Sequence, residues 1–465
     1  MLTNLLSSPR VRWASDEYSG LTLTWLPILP SLAPSSHALA DYSSTSGGRP
    51  WTRQQLQNLP LLSASIGVTE NTTCACKLGG STKREFSVLP HRPEVIDQWA
   101  DALRQRFGGR AIAVCLEISK GPLVSVLQRY AFLVLFPVNP TTLAKYREAF
   151  HVSGAKDDPS DAQLALDLLL THPERLAQLH PYSAAMRTLQ LLVEQRRALV
   201  QDVGRLTNRI SATLKQYFPQ TLEWFKDKDT LVFCDFLTRW PTLKHAQRAR
   251  QARLRAFFQE HNVRYPHIIE QRIRAILSAT ALTADRAVIE PNRLLVEALV
   301  PQLRVLLHAV ERFDRQIDVL APTLPDFAVF ASFPGAGPVF TPRLVAAFGE
   351  RRERYANAGE IQMYSGIAPV TERSGNKCWV HWRLQCPKFL RQTFVEFAAL
   401  SIPHCYWAKA YYEQQREKGS SHQAALRSLA YKWIRIMYRC WQNRTQYDEA
   451  TYLNALKSHG SPLLN

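Results

Sequence analysis

The hydrophobic rhythm of the chain changes from region to region. Residues 1–60 carry Ser, Pro and Leu without any period, which predicts irregular or disordered backbone. Short apolar runs then alternate with helical stretches. Strands are expected over 61–68 and 74–78, a buried strand over 111–116, and a second buried strand over 132–138 closed by Asn139-Pro140. A short helix opened by Gly121 and Pro122 lies between the two buried runs. That β-α-β order predicts a sheet with helices on its faces. From about 180 the spacing is helical: Leu192, Leu199, Val203, Leu206, Ile210 and Leu214 recur on one side. Further on, Leu299, Leu303, Leu306, Val310, Phe313, Ile317 and Leu320 alternate steps of four and three, a heptad seam. Two such helices are expected to pair as an antiparallel coiled coil, either as an internal hairpin or as a subunit interface.

Between these helices, about 220–290 is basic and helical. Pro322 and Pro325 mark a boundary. Beyond them come Gly-rich turns, many Arg and Lys, and a late amphipathic helix with Leu426, Leu429, Trp433, Ile436 and Cys440 on one side. The expected organisation is an irregular extension over 1–60, an α/β domain over 61–178, a helical coiled-coil region over 179–325 and a mainly helical domain over 326–465.

Charge sharpens this picture. Across 465 residues, 57 Lys and Arg face 39 Asp and Glu, a net charge of +18. An excess of that size in a folded chain points to a polyanionic partner, nucleic acid first and an anionic membrane surface second. No apolar run approaches the roughly 20 residues needed to span a bilayer. The eight cysteines form no C-x-x-C pairs, so reduced core thiols in a cytosolic protein are expected rather than a zinc site. Residues 21–40 resemble a secretory signal, but Pro27, Pro30 and Pro34 interrupt them and Asp16 and Glu17 precede them, which argues against export.

Two groups of residues carry candidate chemistry. The first is acidic. Glu117 directly follows the strand expected at 111–116, and carboxyl ends of strands face the ligand crevice of α/β folds. Asp158 and Asp161 lie three apart in Lys156-Asp157-Asp158-Pro159-Ser160-Asp161-Ala162, on one face of a helix start. Converging carboxylates suit Mg²⁺ in phosphoryl chemistry. Helix capping by Asp158 before Pro159 explains the same residues and is compatible with it.

The second group is basic and glycine-rich. Phe333-Pro334-Gly335-Ala336-Gly337-Pro338 before an apolar helix resembles a helix-hairpin-helix turn, in which Gly335 and Gly337 would offer backbone N–H groups to a DNA phosphate. Tyr364-Ser365-Gly366-Ile367-Ala368-Pro369 and Arg373-Ser374-Gly375-Asn376-Lys377 follow. Ser374 is either a turn residue or a nucleophile flanked by Arg373 and Lys377, with Ser365 as the competing serine. Arg343, Arg351, Arg352, Arg354, Arg383, Lys388 and Arg391 lie around them, interleaved with Trp379, Trp382 and Trp407, a mixture suited to single-stranded or distorted nucleic acid.

Taken together, residues 115–122, 138–140, 156–162, 333–338, 364–369 and 373–377 resemble, in order and spacing, the insertion-sequence 110 family of transposases, also called the 116 and 902 group. The resemblance covers about 61–450. It implies an RNase H-like (RuvC-like) N-terminal domain carrying acids in the order Asp, Glu, Asp, Asp, of which Glu117, Asp158 and Asp161 match the last three. It also implies a C-terminal transposase domain whose serine nucleophile is Ser374. Further implications are a phosphoserine–DNA link, Mg²⁺ held by the acids beside the serine, a structured guide RNA encoded beside the gene, dimerisation through the coiled coil, and a homodimer or homotetramer at the nucleoid of a bacterial cytoplasm. The chain departs from the pattern at the first acid, where Ile66-Gly67-Val68 is followed by Thr69 and then Glu70. Glu70 is a substitute ligand, or the ligand is lost. The first 60 or so residues have no counterpart in the resemblance, which suggests an altered start in a decayed element. Two rival expectations follow: a catalytically inactive DNA- and RNA-binding remnant, and a two-metal nuclease that uses water instead of serine.

Overall fold

The computed structural model describes residues 59–66, 71–77, 84–118, 121–150, 158–263, 265–458 and 460. Residues 1–58 of the irregular extension, with the signal-like segment, and Thr69 and Glu70 lie outside the described residues. The chain forms two compact units, one ending at His180 and one beginning at Pro181.

The first unit is built on a mixed five-stranded sheet. Its strands are β1 (Leu61–Ile66), β2 (Asn71–Lys77), β3 (Arg84–Pro90), β4 (Ile112–Leu116) and β5 (Leu133–Pro137), in the order β3-β2-β1-β4-β5. β2 runs antiparallel to β1 and β3, whereas β4 runs parallel to β1 and β5. β3 was not expected from the sequence, and its alternating Phe86 and Val88 are exposed. β4 is a continuous apolar run buried on both faces, as a central parallel strand requires. Strand alternation splits the core. Leu61, Ala75, Ala113, Cys115 and Phe136 pack with Leu143 of α3 (Pro140–Phe150) and with Ala162, Leu166 and Leu169 of α4 (Asp158–Thr171). Leu62, Cys74, Ile112, Val114 and Leu135 pack on the other side with Ile96 and Leu103 of α1 (Pro93–Arg106) and with Leu123 and Leu127 of α2 (Pro122–Leu127). The sheet is thus covered on both faces, as the β-α-β pattern implied.

In the second unit two long helices dominate, α5 (Ala184–Tyr217) and α11 (Arg286–Leu320). Ser183 opens α5 by accepting the Met186 N–H (3.2 Å), and Asp285 opens α11 by accepting the Ala287 N–H (2.8 Å). They run antiparallel, pinned by Arg196, whose Nη2 donates to Asp314 Oδ2 (3.0 Å). Every position of the heptad seam is buried or half-buried, and Leu299, Leu303 and Ile317 are fully enclosed. The seam is filled from within the chain: Leu299 and Leu303 share a core with Val203, Ile210 and Leu214 of α5, and Ile317 shares one with Met186, Leu189 and Val193.

Five helices join the two long ones: α6 (Thr221–Trp224), α7 (Leu231–Arg239), α8 (Leu243–Gln247), α9 (Gln251–Glu260) and α10 (Pro266–Ser278). The basic charge of this stretch hides an aromatic core of Trp224, Phe225, Phe233, Phe236, Trp240, Phe257 and Phe258. A separate core gathers α12 (Phe327–Ala331), α13 (Gly337–Phe348), α14 (Ala358–Tyr364), α15 (Lys388–Ser401), α16 (Tyr406–Glu417), α17 (His422–Asn443) and α18 (Glu449–Ser458). Trp407 belongs to it, 4.5 Å from the Trp433 ring, and so is no nucleic-acid contact. Between α14 and α15 the chain extends into β6 (Val370–Ser374) and β7 (Lys377–His381), an isolated antiparallel pair.

Among the described residues no helix is long and apolar enough to cross a membrane. Cys74, Cys115, Cys234 and Cys405 are buried, and burial pushes the thiols of Cys115 and Cys405 up to about 12 and that of Cys234 to about 11, which leaves them protonated and inert. Cys378 departs from the core-thiol expectation and is exposed on β7.

Candidate nucleic-acid interface and acidic site

The acids sit where sheet topology concentrates ligands. Glu117 immediately follows β4, half-buried, at the carboxyl end of a central parallel strand. β1 lies beside β4 in parallel register, with Ala64 opposite Leu116, so Glu117 comes level with Ser65. Asp158 is the first residue of α4 and is exposed. Asp161, one turn on, is 1% exposed. Its Oδ1 accepts from Arg147 Nε of α3 (2.8 Å), and its Oδ2 is buried without a hydrogen-bond partner. A buried carboxylate needs a countercharge, and Arg147 supplies one. The orphaned Oδ2 is an acceptor that a cation would satisfy. Among the described residues no three acids, histidines or cysteines already converge as a metal-binding group.

The two serines separate clearly. Ser365 follows α14, is 0% exposed, and its Oγ donates to the Gln362 carbonyl (3.3 Å). It is therefore a cap inside the core, not a nucleophile. Ser374 ends β6, exposed, at the tip of the β6–β7 ribbon. Gly375 has φ +56 while Asn376 does not turn positive, the pattern of a two-residue turn with Gly first, which matches the twist of a hairpin. Cross-strand pairing assigns the faces. Ser374 pairs with Lys377, Glu372 with Trp379 and Val370 with His381, all on one face. Arg373 pairs with Cys378 on the other. The sequence placed Arg373 and Lys377 together as flanking cations. The period of two puts only Lys377 on the side of the serine. Glu372 and His381, unread in the sequence, lie on that side with His381 Nε2 3.4 Å from Glu372 Oε2.

The ribbon has little core of its own. Trp379 is 45% and Trp382 50% exposed, and Val380 and Leu384 project as well. Its root is fixed by Gly366, whose φ is +73. A Cβ at Gly366 would strike Cys386 and come within 3.2 Å of the Arg383 carbonyl, so the absent side chain makes room for the returning strand.

The remaining predicted contacts divide. Gly335 (φ +78) packs so closely that a Cβ would meet the Leu400 carbonyl at 3.1 Å, whereas Gly337 (φ +52) is exposed with open space around it. Arg343 corrects the sequence reading. It is buried, donates to Glu396 Oε2 (2.7 Å) and Thr393 Oγ1 (3.1 Å), and so holds α13 to α15 instead of reaching a phosphate. Arg352 is likewise spent on the Trp441 carbonyl (2.9 Å) and Asp326, and Arg354 stacks among Tyr182, Tyr355 and Tyr364. Arg383 is half-buried with an unbonded Nε.

An α/β unit with acids at a strand end and a helix start, and a helical unit that extends a basic, tryptophan-bearing ribbon into solvent, together define a nucleic-acid-handling protein. A transposase model of the DEDD IS110 type matches residues 66–219, and one described as transposase, IS116/IS110/IS902 family, matches 328–413. The mini-circle putative transposase for IS117 of Streptomyces coelicolor is 29% identical over 343 residues, 73% of this chain and 83% of that protein. The IS110 43.6 kDa protein of the same organism is 24% identical, covering 77% of this chain and 88% of its own length. The putative transposase y4uE of Sinorhizobium fredii is 31% identical over 36% of this chain and 46% of its own. The chain belongs to the IS116/IS110/IS902 family of transposases, enzymes that act on DNA.

Proposed function

We propose that this transposase cuts and rejoins DNA through Ser374, and that its first unit has an RNase H-like (RuvC-like) fold. The observation that carries the serine reading is its position: an exposed hydroxyl at the tip of a solvent-projecting ribbon, directly across from Lys377. In the proposed step the Ser374 Oγ–P bond forms as the P–O bond to the leaving deoxyribose hydroxyl breaks. The seryl proton goes to a base, and the leaving oxygen takes up a proton. Lys377 offsets charge that develops on the phosphoryl oxygens. The strand order β3-β2-β1-β4-β5, with β2 antiparallel to both its neighbours, supports the RNase H-like assignment.

Glu117, Asp161 and Asp158 would hold Mg²⁺, with Glu70 as a substitute fourth ligand; the unbonded Asp161 Oδ2 supports this. When bound, the ion would polarise the phosphodiester and stabilise the leaving oxygen. The reading further implies a homodimer or homotetramer, guided by a structured RNA in the bacterial cytoplasm. Thr69 in place of an acid favours a second reading, an inactive DNA- and RNA-binding remnant.

The test is a covalent-adduct assay with full-length protein, Mg²⁺, the end DNA of the element and its flanking RNA, beside Ser374→Ala. A DNA-linked band lost in the variant supports the serine reading. Cleavage retained in Ser374→Ala sinks it in favour of water attack. If a band is seen only with Thr69→Asp, the remnant reading holds.

A further inference from the structure

At the root of the ribbon Arg391 and Arg427 come together without an acid, and Arg383 lies on the segment that joins the ribbon to them. The segment that leaves β7 lays the Trp382 ring against the Arg427 guanidinium of α17 and its Leu384 carbonyl on Arg391 Nη2 of α15 (2.7 Å). Arg391 Nε also reaches Cys386 Sγ (2.9 Å). The Nε atoms of Arg383 and Arg427 are both buried and without a hydrogen-bond partner. Among the described residues no carboxylate pairs with Arg383, Arg391 or Arg427. Like charges placed together with unmet donors store repulsion that an anion relieves. Burial, followed by the nearby charge of Arg391, lowers Arg427 to about 10. Arg196, Arg343 and Arg352 of the same unit, by contrast, each face a carboxylate.

We propose that Arg383, Arg391 and Arg427 form a phosphate cradle at the ribbon root that grips the backbone of the DNA strand presented to Ser374. This deepens the proposed function and rests on it. From Lys377 to Arg383 an extended strand spans about 20 Å. The gripped phosphate therefore lies a few nucleotides from the one at Ser374. Trp379 and Trp382 line the path between, exposed to sugars and bases.

The experiment uses full-length protein and a duplex of the element's end, with Arg383→Gln, Arg427→Gln and the double variant beside Arg315→Gln, an exposed control on α11. The affinity is followed against salt, and melting is followed with and without inorganic phosphate. The expected result is a salt slope about 0.9 shallower for each phosphate that the variant no longer neutralises, with the control unchanged. Inorganic phosphate raises the wild-type melting temperature but not that of the double variant, which in phosphate-free buffer melts no lower than wild type. A double variant that melts lower and keeps the wild-type slope overturns the cradle, because the arginines would then only hold the ribbon down. Wild-type protein without salt-dependent DNA affinity overturns the DNA reading itself, and the cradle with it. Methylphosphonates scanned one at a time across the few nucleotides beside the cut should, at one position, erase the difference between wild type and double variant; a difference that persists at every position refutes the cradle.

Discussion

Ser374 and Lys377 face each other across the tip of the β6–β7 ribbon, while Arg373, adjacent to the serine in sequence, points to the opposite face. The two cations should therefore separate in function. Lys377→Ala is expected to slow adduct formation about 100-fold, the usual loss when one donor to a developing oxyanion is removed. Arg373→Ala should weaken DNA binding with little change in the rate of the bound complex. Single-turnover kinetics at saturating DNA distinguish them, and equal rate losses would contradict the face assignment.

The two serines differ by burial. Ser365→Ala removes a buried hydrogen bond to Gln362 and should cost about 1 kcal/mol of stability while the adduct persists. Ser374→Ala should leave the melting temperature unchanged and abolish the adduct. Persistence of the adduct in Ser374→Ala with loss in Ser365→Ala would reverse the assignment.

Two glycines of the ribbon test its anchoring. Gly375→Ala meets open space and suffers only from its positive φ, about 1 kcal/mol. Gly366→Ala adds a collision with Cys386 and the Arg383 carbonyl to the same strain and should destabilise by more. Limited proteolysis across 370–386 should accelerate in Gly366→Ala; equal protection in both variants would show that the root does not depend on this close approach.

Arg147 and Asp161 make a buried pair whose rupture is costly. Arg147→Ala leaves the Asp161 carboxylate without its countercharge and should destabilise the first unit by about 3 kcal/mol. If Asp161 also serves a divalent ion, Mg²⁺ should restore part of the melting temperature in Arg147→Ala and none in Arg147→Ala/Asp161→Asn. Identical melting of the single variant with and without Mg²⁺ would count against Asp161 as a ligand.

In the helical region, burial disfavours ionisation of Asp235, but hydrogen bonds from His261 (2.8 Å) and Arg304 outweigh it and hold the carboxyl below the usual range. A depressed carboxylate stabilises the fold above its unfolded-state value, and that contribution is lost as pH falls through the folded value. Asp235→Asn should cost about 1 kcal/mol at neutral pH, and the gap from wild type should close under acid. A gap that widens as pH falls would reverse the sign.

Much of the architecture was legible in residue order because it follows from local periodicity. Buried parallel strands such as β4 announce themselves as short apolar runs, and a long helix such as α11 by its seam, since burial of one face imposes a repeat. The motifs around Glu117, Asp161 and Ser374 pointed to transposase chemistry for the same local reason: turn and cap residues occupy fixed offsets. Other features depended on long-range packing. β3 alternates only Phe86 and Val88 with polar neighbours, on its exposed side, and pairing with β2 makes it a strand. The aromatic core around Phe236 hides in a basic stretch because long cationic side chains reach solvent from the same helices. Arg343 and Arg427 look alike as basic residues in the sequence. Glu396, 53 positions from Arg343, neutralises one of them, and among the described residues no acid neutralises the other. Composition and spacing therefore established that this chain carries positive charge for nucleic acid, while the choice of which charges remain open to it was made by partners distant in sequence, since an ion pair depends on separation in space and not on position along the chain.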